Sequence, residues 1–354
     1  MTAQKKIILL SPSLSKGGTE TQLLKIATDL QSKGFQLLII SLNPINEFDL
    51  TFKQMGLKIV TLNSWTRQPI QNWKRLKRLF IDYRHDLVIA LMFSAILFAR
   101  MLKRELRFKL ISSIRISVMP AKWHLLMRLS KGMDDAVVFN SQAAKANFEQ
   151  LNLVKKGSKV IHNLISIPRP SLIVPQKHAL FNWVCVAHFK WNKDYVTLFE
   201  AIALLKPGSF RVDIIGSLNE ATWPYQTILD LGIKKYVRIL EFQDEPTLYL
   251  HSADAFVLSS HFEGMPNAII EAMACGKPIV ATAIDGITEL LAEAKCGFLT
   301  KKTNSKDLAD KMRKMMELSP AERALLGEKG KLHLAQHFDK EKIMAQWVQL
   351  INNV

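Results

Sequence analysis

Short runs of large apolar residues recur along this chain of 354 residues, and nearly every one gives way to a stretch with helical spacing. In the first half they fall at Lys5 to Ser11, Leu37 to Leu42, Lys58 to Leu62, Leu87 to Ala90, Leu110 to Ile114 and Ala136 to Asn140. In the second half they fall at Trp183 to Ala187, Arg211 to Gly216, Val237 to Glu241, Ala255 to Leu258 and Pro278 to Thr282. Runs this short and this apolar read as strands covered on both faces, with the intervening helices as crossovers. The alternation predicts an α/β fold, a parallel sheet with helices on both sides. The length suits two domains of about 150 to 200 residues better than one core. Ile165 to Phe181 holds Pro168, Pro170 and Pro175 without a clear period and reads as the linker. The expected domains are therefore residues 1–165 and 182–337, followed by a last helix within 338–354.

The stretch Ser259 to Thr282, SSHFEGMPNAIIEAMACGKPIVAT, carries the most chemistry. After the strand ending at Leu258 comes a loop with Glu263 and Gly264, then a helix predicted over Pro266 to Cys275 with Pro266 at its first position and Gly276 past its end. The helix is apolar almost all round and is expected to be buried, yet it carries Glu271 in its middle. A lone carboxylate there reads as an internal ion pair or a hydrogen bond to a loop. A strand, a Gly-containing loop and a helix N-terminus, however, make an anion site with a carboxylate on each side. The helix rises roughly 7.5 Å from Pro266 to Glu271, at about 1.5 Å per residue. A diphosphate at the N-terminus would leave one attached group near Glu263 and the other near Glu271, the layout of a nucleotide sugar. Carboxylates accept from vicinal hydroxyls, which suits Glu271 to a ribose and Glu263 to a sugar ring.

The run E-G-M-P-N-x-x-x-E-A-M-A-C-G-K-P-I-V-A-T closely resembles the E-x7-E signature of the retaining glycosyltransferases of family 4. The resemblance implies the GT-B fold: two Rossmann-like domains facing across a cleft, with the C-terminal helix crossing back to the first. It also implies donor binding by Gly264, Met265, Pro266, Asn267 and Glu271, and by Gly17 and Gly18 of the S-x-G-G-x-E loop after the first strand. Glu263, Lys193 and His188 form the implied catalytic set. Where the family has G-R-L-x-x-x-K-[GND], Lys193 fits the lysine, but His188 replaces the arginine, so Lys193 is expected to carry more of the diphosphate's charge. Arg115 stands where many members place a histidine and is a candidate for the cleft, the acceptor or a phosphate. Val160-Ile161-His162-Asn163 resembles the family's strand-end V-I-x-N, with Leu164 in place of the usual glycine. No D-x-D triplet is present to hold a metal, and Lys193, His188 and the helix N-terminus are expected to neutralise the diphosphate instead. No metal and no cofactor are expected, the nucleotide sugar being a substrate, with a UDP-sugar preferred over a GDP-sugar.

Charge is split unevenly. Residues 1–170 hold 27 Lys and Arg against 10 Asp and Glu, while the remainder hold 21 of each, so the whole net charge of +17 lies in the first half. That points to a nucleic acid, a membrane surface or a phosphorylated acceptor. Trp73 to Phe80 interleaves Lys74, Arg75, Lys77 and Arg78 with apolar residues, and Met119 to Lys131 sets Lys122, Trp123, His124, Arg128 and Lys131 around four more. Either segment alone reads equally as a solvated helix packing inward; together they favour an anionic membrane interface. Three cysteines without a C-x-x-C pair fit a reducing compartment. Lys5-Lys6 precedes too few apolar residues for a signal peptide, and Leu87 to Ala99 is too short to span a bilayer. The expectation is a cytoplasmic protein, peripheral on the cytoplasmic face of the membrane, that transfers sugar to a lipid-linked or polysaccharide acceptor. A sugar-nucleotide epimerase of the same fold would need further acid/base carboxylates. A nucleic-acid-binding protein would explain the charge and leave the E-x7-E run without a role, so no nucleic acid partner is expected.

Overall fold

A computed structural model describes residues 5–165, 180–218 and 220–354, which divide into two compact units, Met1–Leu164 with Lys340–Val354, and Ile165–Asp339. The linker expected over Ile165 to Phe181 lies almost entirely outside the described residues.

The first unit alternates strand and helix: β1 (Lys6–Ser11), α1 (Gly18–Ser32), β2 (Gln36–Ser41), α2 (Asp49–Gln54), β3 (Lys58–Thr61), α3 (Pro69–Tyr83), β4 (Leu87–Leu91), α4 (Met92–Leu106), β5 (Lys109–Ile114), α5 (His124–Ser130), β6 (Ala136–Phe139), α6 (Gln142–Gln150) and β7 (Lys159–Val160). The seven strands are parallel in the order β3-β2-β1-β4-β5-β6-β7. All five residues of β4 are buried, as a central parallel strand covered on both faces requires. The apolar run from Leu87 is β4 passing directly into α4. Helix α1 buries Leu23, Ile26, Ala27 and Leu30, one stripe at helical spacing. Leu24 is half-buried, and Gln22 is buried because its amide bonds both backbone groups of Leu164, at 2.9 and 2.7 Å.

The two basic segments differ. In α3 the apolar side faces in: Leu76 and Phe80 are buried and Trp73 packs against the core. The expectation that Trp73 and Phe80 sit at a membrane interface is therefore corrected, Phe80 being in the core and Trp73 packed against it; the solvent side of α3 carries Lys74, Arg75 and Arg78 together with Ile70 and Ile81. In α5 only Met127 is buried, whereas Leu125, Leu126 and Leu129 are 62%, 51% and 76% exposed. What seats α5 is polar: Arg100 on α4 donates to the Met127 carbonyl at 3.3 Å and to Ser130 Oγ at 2.8 Å. Its Nε and Nη2 meanwhile fork onto Asp134 at 3.0 and 2.5 Å.

The second unit comprises β8 (Phe181–Val186), α7 (Tyr195–Leu204), β9 (Phe210–Ile215), α8 (Trp223–Asp230), β10 (Val237–Ile239), α9 (Thr247–Ser252), β11 (Ala255–Leu258), α10 (Asn267–Ala274), β12 (Ile279–Thr282), α11 (Asp285–Ala294), β13 (Gly297–Thr300), α12 (Ser305–Glu317) and α13 (Pro320–His337). Its six parallel strands run β10-β9-β8-β11-β12-β13. The edge strand β13 was not expected: its first three residues are half-exposed, so Gly297 to Thr300 shows no long apolar run. The final helix α14 (Lys340–Asn353) belongs to the first unit, where it buries Ile343, Met344, Trp347, Leu350 and Ile351. Lys340 meets Asp29 there at 2.7 Å, and Lys33 meets Glu341 at 3.2 Å. Exposed pairs of this kind contribute about 0–1 kcal/mol, so apolar burial is what holds the helix. Among the described residues no helix is long and apolar enough to cross a membrane.

Candidate active site

In the second sheet the chain runs outward from β8 through β9 to β10 on one side and from β11 through β12 to β13 on the other. The neighbours β8 and β11 mark the topological switch point, and open parallel sheets take ligands past the carboxyl ends of the strands there. The loops after these two strands hold Lys193 and Glu263.

Each loop is shaped by its own sequence and lashed to the other. After β8 the chain makes a short 3₁₀ turn over Trp191–Lys193, then Asp194 takes a left-handed conformation at φ +48° as N-cap of α7. Asp, Asn and Gly tolerate that conformation, which accounts for the kind of residue found after Lys193. The Asp194 carboxylate accepts from Thr197 N at 3.3 Å and Thr197 Oγ1 at 2.7 Å, with His261 Nδ1 3.3 Å away. Across the two loops, Ser259 Oγ donates to the carbonyls of Lys193 and Asp194 at 3.0 and 2.9 Å. The His261 N–H donates to the Asn192 carbonyl at 2.7 Å.

Held this way, Lys193 Nζ forms an ion pair with Glu263, whose Oε1 also accepts from Ser260 Oγ at 2.9 Å. Both side chains of the pair are partly screened from solvent. His188 lies on the same edge and stacks on Phe242, and its Nδ1 accepts from the Ser217 N–H at 3.0 Å. A ring nitrogen that accepts cannot carry a proton, so His188 is a neutral imidazole with Nε2–H as its donor. Gly264, Met265 and Pro266 are buried and lead into α10.

Two expectations need correction. Pro266 is the N-cap of α10, with extended φ/ψ, and Asn267 takes the first helical position. Glu271 is half-buried, because α10 buries only Ile269, Ile270, Ala272 and Met273. Glu271 is therefore not the fully buried charge that the helix composition suggested.

Sequence reasoning missed Gly286, in the first turn of α11: a Cβ there would lie 1.6 Å from the Gly264 carbonyl oxygen. The Asp285-Gly286 pair opening a helix after a strand was the available signal. Ser259 and Ser260 were also missed, although a hydroxyl pair just past a buried strand is a natural loop fastener. Gly17, Gly18 and Arg115 all lie in the first unit. Gly17 caps α1 after β1, beside the first sheet's own switch point between β1 and β4, and a Cβ on it would come 2.7 Å from the Glu20 carboxylate. Arg115 follows β5 and donates to Asn163 Oδ1 at 2.5 Å. A cavity of about 600 Å³ lined by Arg84, His85, Lys103 and Lys109, among others, opens at the opposite, amino edge of the first sheet, away from where such sheets bind ligands. Burial pushes the thiols of Cys185 and Cys296 up to about 12 and that of Cys275 to about 11, so none is a nucleophile near neutral pH.

Comparison with known proteins bears on both halves. The model for Glycosyltransferase Family 4 matches residues 16–169, and the model for Glycosyl transferases group 1 matches residues 177–333. The lipopolysaccharide core biosynthesis glycosyltransferase LpsE of Rhizobium meliloti is 26% identical over 223 residues, which are 61% of this chain and 64% of that protein, so the chain spans just under two thirds of that relative. The N,N'-diacetylbacillosaminyl-diphospho-undecaprenol alpha-1,3-N-acetylgalactosaminyltransferase of Campylobacter jejuni is 24% identical over 352 residues, 88% of this chain and 90% of that one. Anabaena HepE, solved in complex with UDP-glucose, shares the fold with a TM-score of 0.87 at 22% identity, covering 99% of this chain and 100% of its own.

Proposed function

Because the chain belongs to glycosyltransferase family 4 and has the GT-B fold, we propose that it transfers a sugar, with retention, from a UDP-sugar to a lipid-linked or polysaccharide acceptor at a membrane surface. The observation that carries the reading is the Lys193–Glu263 pair fixed beside the N-terminus of α10, with Glu271 further along the same helix. Lys193 supplies a compact positive charge to the donor diphosphate, and the neutral His188 adds one donor. Glu263, already oriented by Ser260, accepts from the sugar hydroxyls, and Glu271 accepts from the ribose. In the transfer the bond from the anomeric carbon to phosphate breaks and the bond to the acceptor oxygen forms on the same face. The acceptor's proton passes to the departing diphosphate oxygen. With the Lys193 ammonium, the His188 donor and the N-terminus of α10 on the diphosphate, no metal is required.

The preference for UDP draws on HepE, which was solved with UDP-glucose, and a lipid diphosphate acceptor draws on the Campylobacter relative, whose name specifies one. The membrane surface draws on α5. Its three exposed leucines have Lys122, Arg128 and Lys131 around them, and no acidic residue occurs between Ile116 and Met133. An apolar ridge ringed by cations suits an anionic bilayer, each nearby cation contributing on the order of 1 kcal/mol. The reaction places the protein peripherally on the cytoplasmic face, where nucleotide sugars are available.

The experiment is a transfer assay with a panel of UDP- and GDP-sugars and a lipid diphosphate acceptor, in EDTA, with the product's anomeric configuration read by NMR. Transfer from a UDP-sugar with the α configuration kept is expected. An inverted product, or activity restored only by Mg²⁺, would overturn the stereochemical or the metal-free part.

A further inference from the structure

The first unit holds two buried arginines in opposite electrical situations. On Arg100 the side-on fork of Nε and Nη2 is filled by both oxygens of Asp134, at 3.0 and 2.5 Å. On Arg115 the same two nitrogens have no partner among the described residues, and the guanidinium makes a single bond, from Nη1 to Asn163 Oδ1. Arg115 is only 8% exposed and pairs with no carboxylate among the described residues. Burial lowers its pKa to about 10, which leaves it fully protonated near neutral pH. A buried cation with one neutral partner costs far more than one hydrogen bond returns. The empty fork has the geometry that takes two oxygens of a carboxylate or a phosphate.

The neighbours of Arg115 are polar and under-used as well. Ile114 on β5 pairs in register with Phe139 on β6, so Arg115 and Asn140 leave the sheet side by side at its carboxyl edge. Asn140 Oδ1 and Ser117 Oγ are both buried without partners among the described residues. The Asn140 carbonyl is bonded to His162 Nδ1 at 3.1 Å, which ties the end of β6 to the segment carrying Asn163. The edge is thus built around a cation whose counter-charge none of the described residues provides.

We propose that Arg115, oriented by Asn163 and flanked by Asn140 and Ser117, is a phosphate-binding site of the first unit that holds the phosphate of a phosphorylated acceptor. The assignment to an acceptor rests on the transferase reading above; the phosphate site itself does not. The net charge favours phosphate over a neutral group, since all of the +17 belongs to the first half of the chain.

The test uses the full chain with inorganic pyrophosphate as probe and UDP present at saturation, so that the other nucleotide-phosphate site is filled. Pyrophosphate is expected to raise the melting temperature of the wild type and to leave Arg115→Met unmoved. Without any anion, Arg115→Met is expected to melt at or above the wild type, because an unpaired charge has been replaced by an apolar chain of similar length. Equal pyrophosphate shifts in both proteins would overturn the site. A loss of UDP affinity in Arg115→Met with the pyrophosphate response intact would place Arg115 with the donor and overturn the acceptor assignment. Should Arg115→Met fail to fold, Arg115→Lys keeps the charge and loses the fork: at least a tenfold weaker pyrophosphate affinity is expected, and an unchanged one refutes the proposal. A short-chain prenyl diphosphate is expected to compete with pyrophosphate; failure to compete would make this a free-anion site only. In the transfer assay Arg115→Lys should raise KM for the phosphorylated acceptor at least tenfold while changing kcat little. If the wild type binds no nucleotide sugar, the transferase reading fails, and the pyrophosphate comparison still decides on Arg115.

Discussion

Replacing Asp134 by Asn should unseat the first unit more than any single surface change, and the size of the effect follows from its surroundings. Both side chains of the Arg100–Asp134 pair are 1% exposed. Asp134 accepts from Arg100 Nε at 3.0 Å, Arg100 Nη2 at 2.5 Å and Ser112 Oγ at 2.8 Å. Asp134→Asn keeps the shape, points an amide N–H₂ at a guanidinium and leaves a buried cation uncompensated, a change worth about 3–5 kcal/mol. A domain of this size loses about 2–4 °C per kcal/mol, so its melting transition should fall by about 6–20 °C. The assay is urea and thermal unfolding, with amide exchange in β5 and β6 to assign the loss to the first unit. The double variant Arg100→Met/Asp134→Asn removes both charges and should recover at least about 1 kcal/mol of the loss, though not the bonds Arg100 makes to Met127 and Ser130. A cost below about 1 kcal/mol for the single variant, or a double variant less stable than the single, would refute the charge argument.

Glu271→Ala should weaken UDP-sugar binding several-fold, read by titration calorimetry, since a ribose contact made before and during reaction is uniform binding. Gly286→Ala forces a Cβ against the Gly264 carbonyl and should cost about 1–3 kcal/mol, with weaker donor binding because the loop carrying Glu263 must move. Burial lowers the pKa of His85 from 6.5, and its Nε2 has no partner among the described residues. The unfolded chain therefore takes up the proton first, and the stability tied to neutral His85 is present above about pH 6.5 and lost as pH falls below it. In denaturation curves between pH 7 and 5.5, His85→Phe should show a shallower pH slope than the wild type. Leu125→Ser/Leu126→Ser/Leu129→Ser should leave stability within about 0.5 kcal/mol per site, the leucines being exposed, while cutting sedimentation with acidic vesicles. Removing the α3 cations Lys74, Arg75, Lys77 and Arg78 should cut it less.

The parallel sheets could be read from the sequence because their strands are short apolar runs set off by helices, a pattern that needs no partner to be recognised. The β11–α10 run was equally legible, since a loop with Glu263 and Gly264 between a strand and a helix fixes backbone and charge locally. The fates of α3 and α5 were not. Both segments interleave cations with apolar residues, and only packing decides that Phe80 enters the core while Leu129 faces water. Glu271 looked buried for the same reason: the helix composition does not say which side lacks a neighbour. The fork of Arg115, unfilled among the described residues, was out of reach as well, because it depends on which side chains three adjacent strand ends bring together.

The measurement that bears most directly on the site is the equilibrium affinity of UDP for the wild type and for Lys193→Met, in EDTA. Removing the ammonium that pairs with Glu263 takes away a charge-assisted contact to the diphosphate worth about 1.5–3 kcal/mol, which is about a 10- to 150-fold increase in Kd. The account predicts UDP binding to the wild type without metal, weakened at least tenfold in the variant. Equal affinity of the two proteins, or wild-type binding that vanishes in EDTA and returns with Mg²⁺, would contradict it.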